Sequence, residues 1–114
     1  MGEIQGISRI TFHDGQLEEF RRLADRIMHI VRTEDTGTLQ FEVYLNDDQS
    51  EAIVLERYQD FDAFVEHAVR LGELGQAIFA TGSVTAACFG EPTAELRAQL
   101  AGSPVQLFTP HLLL

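Results

Sequence analysis

The sequence contains no lysine, and this absence limits the partners that the protein can bind. All eight basic residues are arginine, against 18 acidic residues, so the formal net charge is -10. A surface with such an excess of carboxylates repels phosphate backbones and anionic lipid head groups. We therefore expect neither nucleic acid nor a membrane surface as a partner. The same charge also favours solubility, which is a sufficient explanation for it.

Cysteine is nearly absent as well. Cys88 is the single cysteine, which excludes an intramolecular disulfide framework and a thiolate cluster for zinc or iron–sulfur. It lies in an apolar run, where a buried inert thiol is more common than a nucleophile. The amino-terminal stretch MGEIQGISRI lacks the pattern of a signal peptide, and no apolar segment reaches the roughly 20 residues that span a bilayer. These features predict a cytoplasmic location.

Motifs for metal and nucleotide binding are also missing. The histidines show no i, i+4 pairing and no HExxH motif, so no metal site is predicted; they are His13, His29, His67 and His111. There is no GxGxxG motif and no P-loop, and no serine lies in a nucleophile-elbow context. The sequence therefore shows no recognisable motif for a metal or a nucleotide cofactor.

Hydrophobic periodicity predicts five strands and three helices in one domain that spans residues 1–114. A chain of 114 residues is long enough for one ordinary core. The predicted strands are Ile7–His13, Thr38–Leu45, Ala52–Tyr58, Ser83–Phe89 and Val105–Phe108, and the predicted helices are Gln16–Arg32, Phe61–Ala80 and Glu91–Leu100.

Three local features refine these elements. Residues 38–45 alternate strictly, so that Leu39 and Phe41 are expected on the same face of their strand. Asp60 is the expected N-cap of the second helix. Gly72 and Gly75 weaken that helix and predict a bend or a close approach there.

The order β-α-β-β-α-β, with a helix and a strand appended, is typical of an α+β, ferredoxin-like split βαβ fold. In this fold one antiparallel sheet carries two main helices on one face. The predicted core covers about residues 7–90, and residues 91–114 form a C-terminal addition. The third strand is apolar on both faces, since Ile53 and Leu55 alternate with Ala52 and Val54. We expect a homodimer in which the second sheet covers the face without helices.

The stretch LERYQDFDAFVEH, residues 55–67, concentrates the side chains that can carry chemistry. Alternation places Glu56 and Tyr58 on one face of the third strand and Arg57 on the other. His67 falls at the edge of the apolar stripe of the following helix. If Glu56 and Tyr58 face that helix, a carboxylate, a phenol and an imidazole meet in one pocket. The pattern leaves open whether they face the helices or a partner sheet.

These residue types suit proton transfer, and each also has a structural interpretation. An imidazole accepts protons near neutral pH, a carboxylate can fix its tautomer, and a phenol or guanidinium can stabilise an oxyanion. Equally, His67 can be a hydrogen-bonded surface residue, Glu56 part of a cross-strand ion pair, and Tyr58 a core residue with its hydroxyl at the rim. Arg9 and His13 on the first strand are weaker candidates for the same pocket.

Two segments, EDTGTLQFEV (residues 34–43) and LERYQDFDAFVEH (residues 55–67), resemble the antibiotic biosynthesis monooxygenase domain family. Members of that family have a glycine turn before the second strand, which Gly37 matches. They also have a Glu-x-Tyr-x-Asp-x-x-Ala-x-x-x-His signature across the third strand and second helix. The residues on that signature are Glu56, Tyr58, Asp60, Ala63 and His67. The resemblance covers Ile7 to about Gly90.

The resemblance implies a dimeric α/β-barrel and a cofactor-independent monooxygenase that oxidises a quinol or polycyclic phenol with O2. It assigns His67 as the base, Glu56 as the residue that orients it, and Tyr58 or an arginine as the holder of the oxyanion. The candidate substrate-binding residues are Arg9, Phe41, Phe64 and Arg70.

Other functions in the same superfamily remain open. It includes haem-degrading oxygenases, which typically use a tryptophan that this chain lacks. It also includes isomerases of small phosphorylated sugars, which suit a chain without lysine poorly. The two alternatives that remain are a non-catalytic dimeric ligand-binding or stress-response protein, and an isomerase or lyase of a small carbonyl compound.

Overall fold

The computed structural model describes residues 2–114, in which five strands and four helices follow one another. Their bounds are β1 (Ile4–Phe12), α1 (Leu17–Thr33), β2 (Thr38–Leu45), β3 (Glu51–Tyr58), α2 (Phe61–Leu71), α3 (Glu73–Phe79), β4 (Gly82–Phe89), α4 (Ala94–Leu100) and β5 (Val105–Phe108). Each predicted element is present, and the second predicted helix is divided in two.

The strands form one sheet in the order β2-β3-β1-β4-β5. β1 is antiparallel to both β3 and β4, and β2 is antiparallel to β3. β5 instead runs parallel to β4, because the connection through α4 is a crossover rather than a hairpin. The α+β, ferredoxin-like fold is confirmed, but the sheet is mixed, so the prediction of an antiparallel sheet is correct only for β1–β4. Within the single chain the sheet is open, with β2 and β5 as its edges.

The second predicted helix is interrupted at Gly72. Gly72 has a φ of 50°, a conformation that glycine adopts without steric cost, and it separates α2 from α3. The predicted weak point is therefore a complete break. At the other end of α2 the predicted cap is confirmed, because Asp60 accepts a hydrogen bond from the Ala63 N–H at 2.8 Å.

The starts of two elements differ from the sequence prediction by three residues, whereas the other boundaries differ by about one residue or not at all. β1 begins at Ile4 rather than Ile7, since Ile4 pairs with Tyr58 at the end of β3. α4 begins at Ala94, later than predicted, because the Thr93 side chain caps it.

β2 also departs from strict alternation. Its pairing with β3 shifts between Thr38 and Gln40, a bulge that leaves Leu39 without a partner. Leu39 is 45% exposed, so it does not share the partly buried environment of Phe41, although strict alternation predicted that the two lie on the same face.

The two faces of the sheet differ in what covers them. The face that carries the helices presents buried side chains, among them Ile10, Ala52, Val54, Tyr58 and Cys88. By alternation, the opposite face also presents apolar side chains: Ile7, Ile53, Leu55, Phe89 and Phe108. Phe89 and Phe108 contact each other with ring centroids 5.8 Å apart, and both are substantially exposed.

Two clusters of buried side chains lie on the helix side. The first packs α1 and α3 on the middle of the sheet: Ile10, Phe20, Leu23, Ile27, Ala52 and Ile78. The second joins α2 and α4 to the sheet: Ile4, Tyr58, Ala63, Cys88, Leu96 and Leu100. The C-terminal addition is thus part of the core. None of the helices within residues 2–114 has the length and apolar character needed to cross a membrane.

Candidate functional site

A cavity of about 380 Å³ lies between the sheet and the helices that cover it. Five of the candidate site residues line it: Phe41, Glu56, Tyr58, Phe64 and His67. Glu56 and Tyr58 therefore face the helices, which answers the question of orientation that the sequence pattern left open. The rest of the lining is largely apolar and comes mainly from the sheet and from α1, α2 and α3.

His67 is buried among aromatic rings at one end of this cavity. The residue is only 4% exposed. The ring centroids of Tyr58 and Phe41 lie 5.2 and 5.7 Å from the imidazole centroid, which are distances of aromatic contact. The imidazole is therefore held in place and shielded from water on these two sides.

Asp35 binds the imidazole from the opposite side, a contact that the sequence analysis did not predict. Its Oδ2 atom lies 2.7 Å from His67 Nδ1 and also accepts a hydrogen bond from Thr38 Oγ1 at 2.7 Å. An ionised carboxylate can only accept hydrogen bonds, so the proton of the neutral imidazole lies on Nδ1 and Nε2 carries the lone pair. The resemblance gave this orienting contact to Glu56; in the structure Asp35 makes it.

The carboxylate of Asp35 is almost fully enclosed. Its side chain is 1% exposed, and Arg70 Nε lies 3.9 Å from Oδ1. Oδ1 has no hydrogen-bond partner within residues 2–114. Burial of an incompletely paired carboxylate is costly, so this arrangement is more typical of a functional site than of a core built for stability.

The turn that carries Asp35 is fastened to α2 by the residues on either side. The Thr36 N–H donates to Glu66 Oε1 at 2.8 Å. Arg70 Nη1 lies 3.4 Å from Glu34 Oε1 in an exposed ion pair. Glu34, Asp35 and Thr36 therefore all contact α2. These contacts fix the position of the turn along the axis of that helix.

Gly37 sets the distance between this turn and α2. A Cβ atom added to Gly37 would lie 2.5 Å from the Ala63 Cβ atom and 3.0 Å from the Gln59 side chain. Only glycine permits so close an approach. The contact of Gly37 with Ala63, one turn before His67, is what brings Asp35 within hydrogen-bond distance of the imidazole.

Glu56 and Tyr58 lie at the other nitrogen of His67. Glu56 Oε1 is 3.6 Å from Nε2, too far for a direct hydrogen bond, and the Tyr58 hydroxyl donates to the same oxygen. Burial, reinforced by the Glu56 carboxylate, raises the pKa of Tyr58 far above its ordinary value. The phenol therefore remains protonated. A substrate hydroxyl placed on the cavity side of Nε2 and Oε1 can contact both atoms.

Cys88 also lines the cavity and is 3% exposed. Burial, together with the charge of Glu56, raises the pKa of its thiol to about 11. A protonated thiol is a weak nucleophile, so the geometry supports the interpretation of Cys88 as an inert wall of the cavity.

The predicted arginines and His13 do not line the cavity. Alternation along β1 puts Arg9 on the face of the sheet without helices, where it pairs with Glu51. Arg70 projects from α2 toward the exposed carboxylate of Glu34. Neither arginine therefore occupies the position expected of a residue that holds an oxyanion in this cavity.

The C-terminal addition supplies a wall that the sequence analysis missed. Ser103, Pro104 and Val105 line the cavity, while Leu96 is packed in the same buried cluster as Tyr58. The resemblance ended near residue 90 and gave no role to this part of the chain. The apolar positions of α4 were a usable signal, because an amphipathic helix requires a surface to cover.

Together these residues can move a proton inside a largely apolar cavity. Nε2 of His67 can accept one, Glu56 lies beside it as a second proton carrier, and Tyr58 can donate a hydrogen bond. No group of three or more His, Cys, Asp and Glu side chains within residues 2–114 is arranged to hold a metal ion.

Several solved structures have the same fold as this chain. MupZ from Pseudomonas fluorescens is 19% identical, with a TM-score of 0.85 over 100% of this chain and 94% of that one. SnoaB from Streptomyces nogalater, a cofactor-independent oxygenase, is 18% identical, with a TM-score of 0.66 over 82% of this chain and 97% of its own. A putative antibiotic biosynthesis monooxygenase from Caulobacter crescentus CB15 is 18% identical, with a TM-score of 0.67 over 76% and 87%.

At these identities the likeness establishes the fold alone. No curated protein matches the sequence. The antibiotic biosynthesis monooxygenase family matches residues 7–70, a stretch that contains most of β1, the turn with Asp35, and the whole of the Glu56–His67 signature. This match spans more than half of the 114 residues, and the chain therefore belongs to the antibiotic biosynthesis monooxygenase family.

Proposed function

We propose that the protein is a monooxygenase that oxidises a quinol or polycyclic phenol with O2, without a cofactor. One observation carries the proposal: His67 presents Nε2 to an apolar cavity while a buried carboxylate holds Nδ1. This is the geometry of a base with a fixed tautomer. Family membership supports the same class of reaction.

The first step is removal of a phenolic proton. The substrate hydroxyl lies against His67 Nε2, which takes the proton and becomes an imidazolium. Asp35 stabilises that cation through Nδ1, and the imidazolium in turn neutralises the new phenolate. Tyr58 or an arginine was expected to hold the oxyanion. No arginine lines the cavity and the Tyr58 hydroxyl donates to Glu56, so the cation formed on His67 takes that role.

The second step uses the electrons of the phenolate. An anthrone supplies the proton of the first step from the hydroxyl of its enol tautomer. The resulting anion reduces O2 and forms a carbon–oxygen bond at the carbon that is CH2 in the keto form, and the proton on His67 passes to the distal oxygen to give a hydroperoxide. The hydroperoxide then loses water: the C–H bond on the same carbon and the O–O bond break, and a carbonyl group forms. The substrate loses four electrons and O2 gains four, with one oxygen atom in the quinone and one in water. Because the substrate is the reductant, the reaction needs no flavin, haem or metal.

The lining of the cavity supports an aromatic substrate. Phe41, Phe64 and Tyr58 provide ring faces and edges around the space beside His67, and aromatic pairs of this kind add to the free energy of burial. A volume of about 380 Å³ is within the usual range for small-molecule sites, about 300–1,000 Å³. The aromatic rings packed beside His67 also shield a carbanion formed there from simple protonation.

We also propose that the working form is a homodimer joined through the sheet face without helices. That face carries Ile53, Leu55 and Phe89, and none of the helices within residues 2–114 covers it. Contiguous apolar patches of this kind are typical of protein interfaces. Light scattering after size exclusion tests the proposal, and a stable folded monomer at micromolar concentration would contradict it.

Oxygen uptake tests the proposed reaction. The wild type is expected to consume O2 with anthrone or reduced menadione above the background autoxidation, and His67→Ala is expected to reduce uptake to that background. Absence of uptake across a broad panel of quinols and phenols would overturn the proposal. Uptake that is undiminished in His67→Ala would overturn the assignment of the base alone.

A second function is favoured by the position of Glu56. Two proton carriers, His67 Nε2 and Glu56 Oε1, lie 3.6 Å apart on the same cavity wall, an arrangement that suits an isomerase or lyase of a carbonyl compound. Such an enzyme would exchange substrate protons with deuterated solvent and consume no O2.

If His67→Ala lowers stability and no turnover of any kind is found, the protein is a non-catalytic binding protein instead.

A further inference from the structure

The cavity contains no positively charged side chain when His67 is neutral. The ionisable residues in its lining are Glu56, Tyr58, His67 and Cys88, and none of the lining residues is an arginine. The chain has no lysine. A ligand that carries a negative group into this space therefore finds no permanent counter-ion there.

Two carboxylates add a negative field at the reactive end. Asp35 is 1% exposed and lies directly behind His67, and Glu56 lies beside Nε2 with 20% of its side chain exposed. Because Asp35 is enclosed by protein, solvent water screens its charge only partly, and the charge acts on a ligand inside the cavity. Both carboxylates oppose the entry of an anion.

The cation nearest to the site does not compensate. Arg70 lies 3.9 Å from Asp35 Oδ1 and is shared with Glu34 and Glu66. Its guanidinium is outside the lining of the cavity, so it cannot contact a ligand there. Its charge is balanced by the three carboxylates around it.

We propose that the cavity binds uncharged ligands and rejects ligands that place a carboxylate, sulfonate or phosphate inside it. The inference deepens the proposed function, since it restricts the substrate to a phenol or quinol that is neutral within the cavity. Any acidic group of the natural substrate must remain outside the mouth of the cavity. The physical basis is the cost of burying an unpaired charge next to two like charges.

Binding of a matched pair of probes tests the inference without turnover. The pair is 2-naphthol and 6-hydroxy-2-naphthoic acid, which share a ring and a phenol and differ by one carboxylate. Dissociation constants are measured by quenching of probe fluorescence at pH 7.5 under nitrogen. The acid is expected to bind at least about tenfold more weakly. Equal or tighter binding of the acid overturns the inference, and so does a failure of 2-naphthol to bind.

Two variants separate the local charge from the overall charge of the protein. Glu56→Gln is expected to reduce the discrimination between the probes about fivefold or more, because it removes one of the two like charges. Asp47→Asn makes the same chemical change in an exposed loop and is expected to leave the discrimination unchanged. An equal effect of both variants overturns the assignment to the cavity.

A third variant locates the probes. Ala68 lines the cavity one residue after His67, and Ala68→Leu is expected to weaken binding of 2-naphthol by filling space. Unchanged affinity in this variant places the probe elsewhere and overturns the inference. Because no step here uses O2, the result stands whether or not oxygen uptake is observed with any substrate.

Discussion

Asp35 lies 2.7 Å from His67 Nδ1, although 32 residues separate the two in sequence. The contact joins a turn before β2 to the second turn of α2, and it converts a buried histidine into a group with a defined tautomer. A general base requires both a free lone pair and a fixed direction, and this pair provides both at the wall of the cavity.

Asp35→Asn is expected to lower kcat while leaving KM nearly unchanged. The amide has no charge to stabilise the imidazolium and can donate to Nδ1, which moves the imidazole proton to Nε2. General-base catalysis contributes about 10²–10⁴-fold, so kcat should fall by about 10²-fold. Steady-state kinetics with the best substrate measures this. Asp35→Glu should recover part of the loss, and Asp47→Asn should have no effect. A change confined to KM would show that Asp35 acts in binding.

Gly37→Ala is expected to destabilise the protein, because the added methyl group meets the Ala63 Cβ atom at 2.5 Å. Overpacking of this kind costs about 1–3 kcal/mol. Urea unfolding followed by circular dichroism gives the free energy of unfolding.

The matched control is Gly75→Ala, in which the new methyl group meets the Leu71 side chain at 3.8 Å, an ordinary contact. Alanine in a helix is favoured over glycine by about 1 kcal/mol, so this variant should be more stable than the wild type. The same sign for both variants would refute the close approach of the turn to α2.

Leu96→Ala tests the role of the C-terminal addition. Leu96 is 1% exposed and belongs to the cluster that contains Tyr58, so its truncation should cost about 2–5 kcal/mol. Leu113→Ala, at a residue that is 81% exposed, should change stability by less than about 0.5 kcal/mol. Both values come from the same unfolding experiment, and similar values for the two variants would show that α4 is not part of the core.

Stability is expected to fall as the pH rises from about 9 to about 11. Burial raises the pKa of Cys88 from 9.0 to about 11, so in this range the unfolded chain loses the thiol proton before the folded chain does. The unfolded state then binds fewer protons, and the free energy of unfolding decreases with pH. Tyr58 contributes in the same direction because its pKa is also raised.

Cys88→Ala isolates the part due to the thiol. Unfolding free energies of the wild type and the variant are compared at several pH values between 7 and 11, and the variant should show a shallower decline. Parallel declines would mean that the Cys88 thiol is not protected by burial.

The sequence predicted the elements of the fold well because their signals are local. The apolar spacing of Leu23 and Ile27 in α1 and the alternation of β3 depend only on neighbouring residues. The parallel pairing of β5 was missed because pairing direction depends on the path of the chain after Phe89. The break at Gly72 was anticipated as a weak point, but whether a glycine bends or divides a helix depends on the packing of both halves.

The candidate site was predicted only in part, because sequence patterns report on neighbouring residues and not on distant ones. Glu56, Tyr58 and His67 are close in sequence and form a recognisable signature, so their meeting was anticipated for the case in which Glu56 and Tyr58 face the helices, an orientation that the pattern left open. Asp35 comes from a distant turn, and nothing in the residues around it indicates a partner 32 positions away. Arg9 was misleading as a candidate because a charged residue on a strand gives no indication of which face the helices cover.

The most direct test of the account is oxidation of anthrone under ¹⁸O2 by the wild type and by His67→Gln, followed by mass spectrometry of the quinone. The wild type should place one ¹⁸O atom in the product, and the variant should form that product about 10²–10⁴-fold more slowly. Product formed at the same rate by both proteins, or wild-type product that contains no ¹⁸O, would contradict the account.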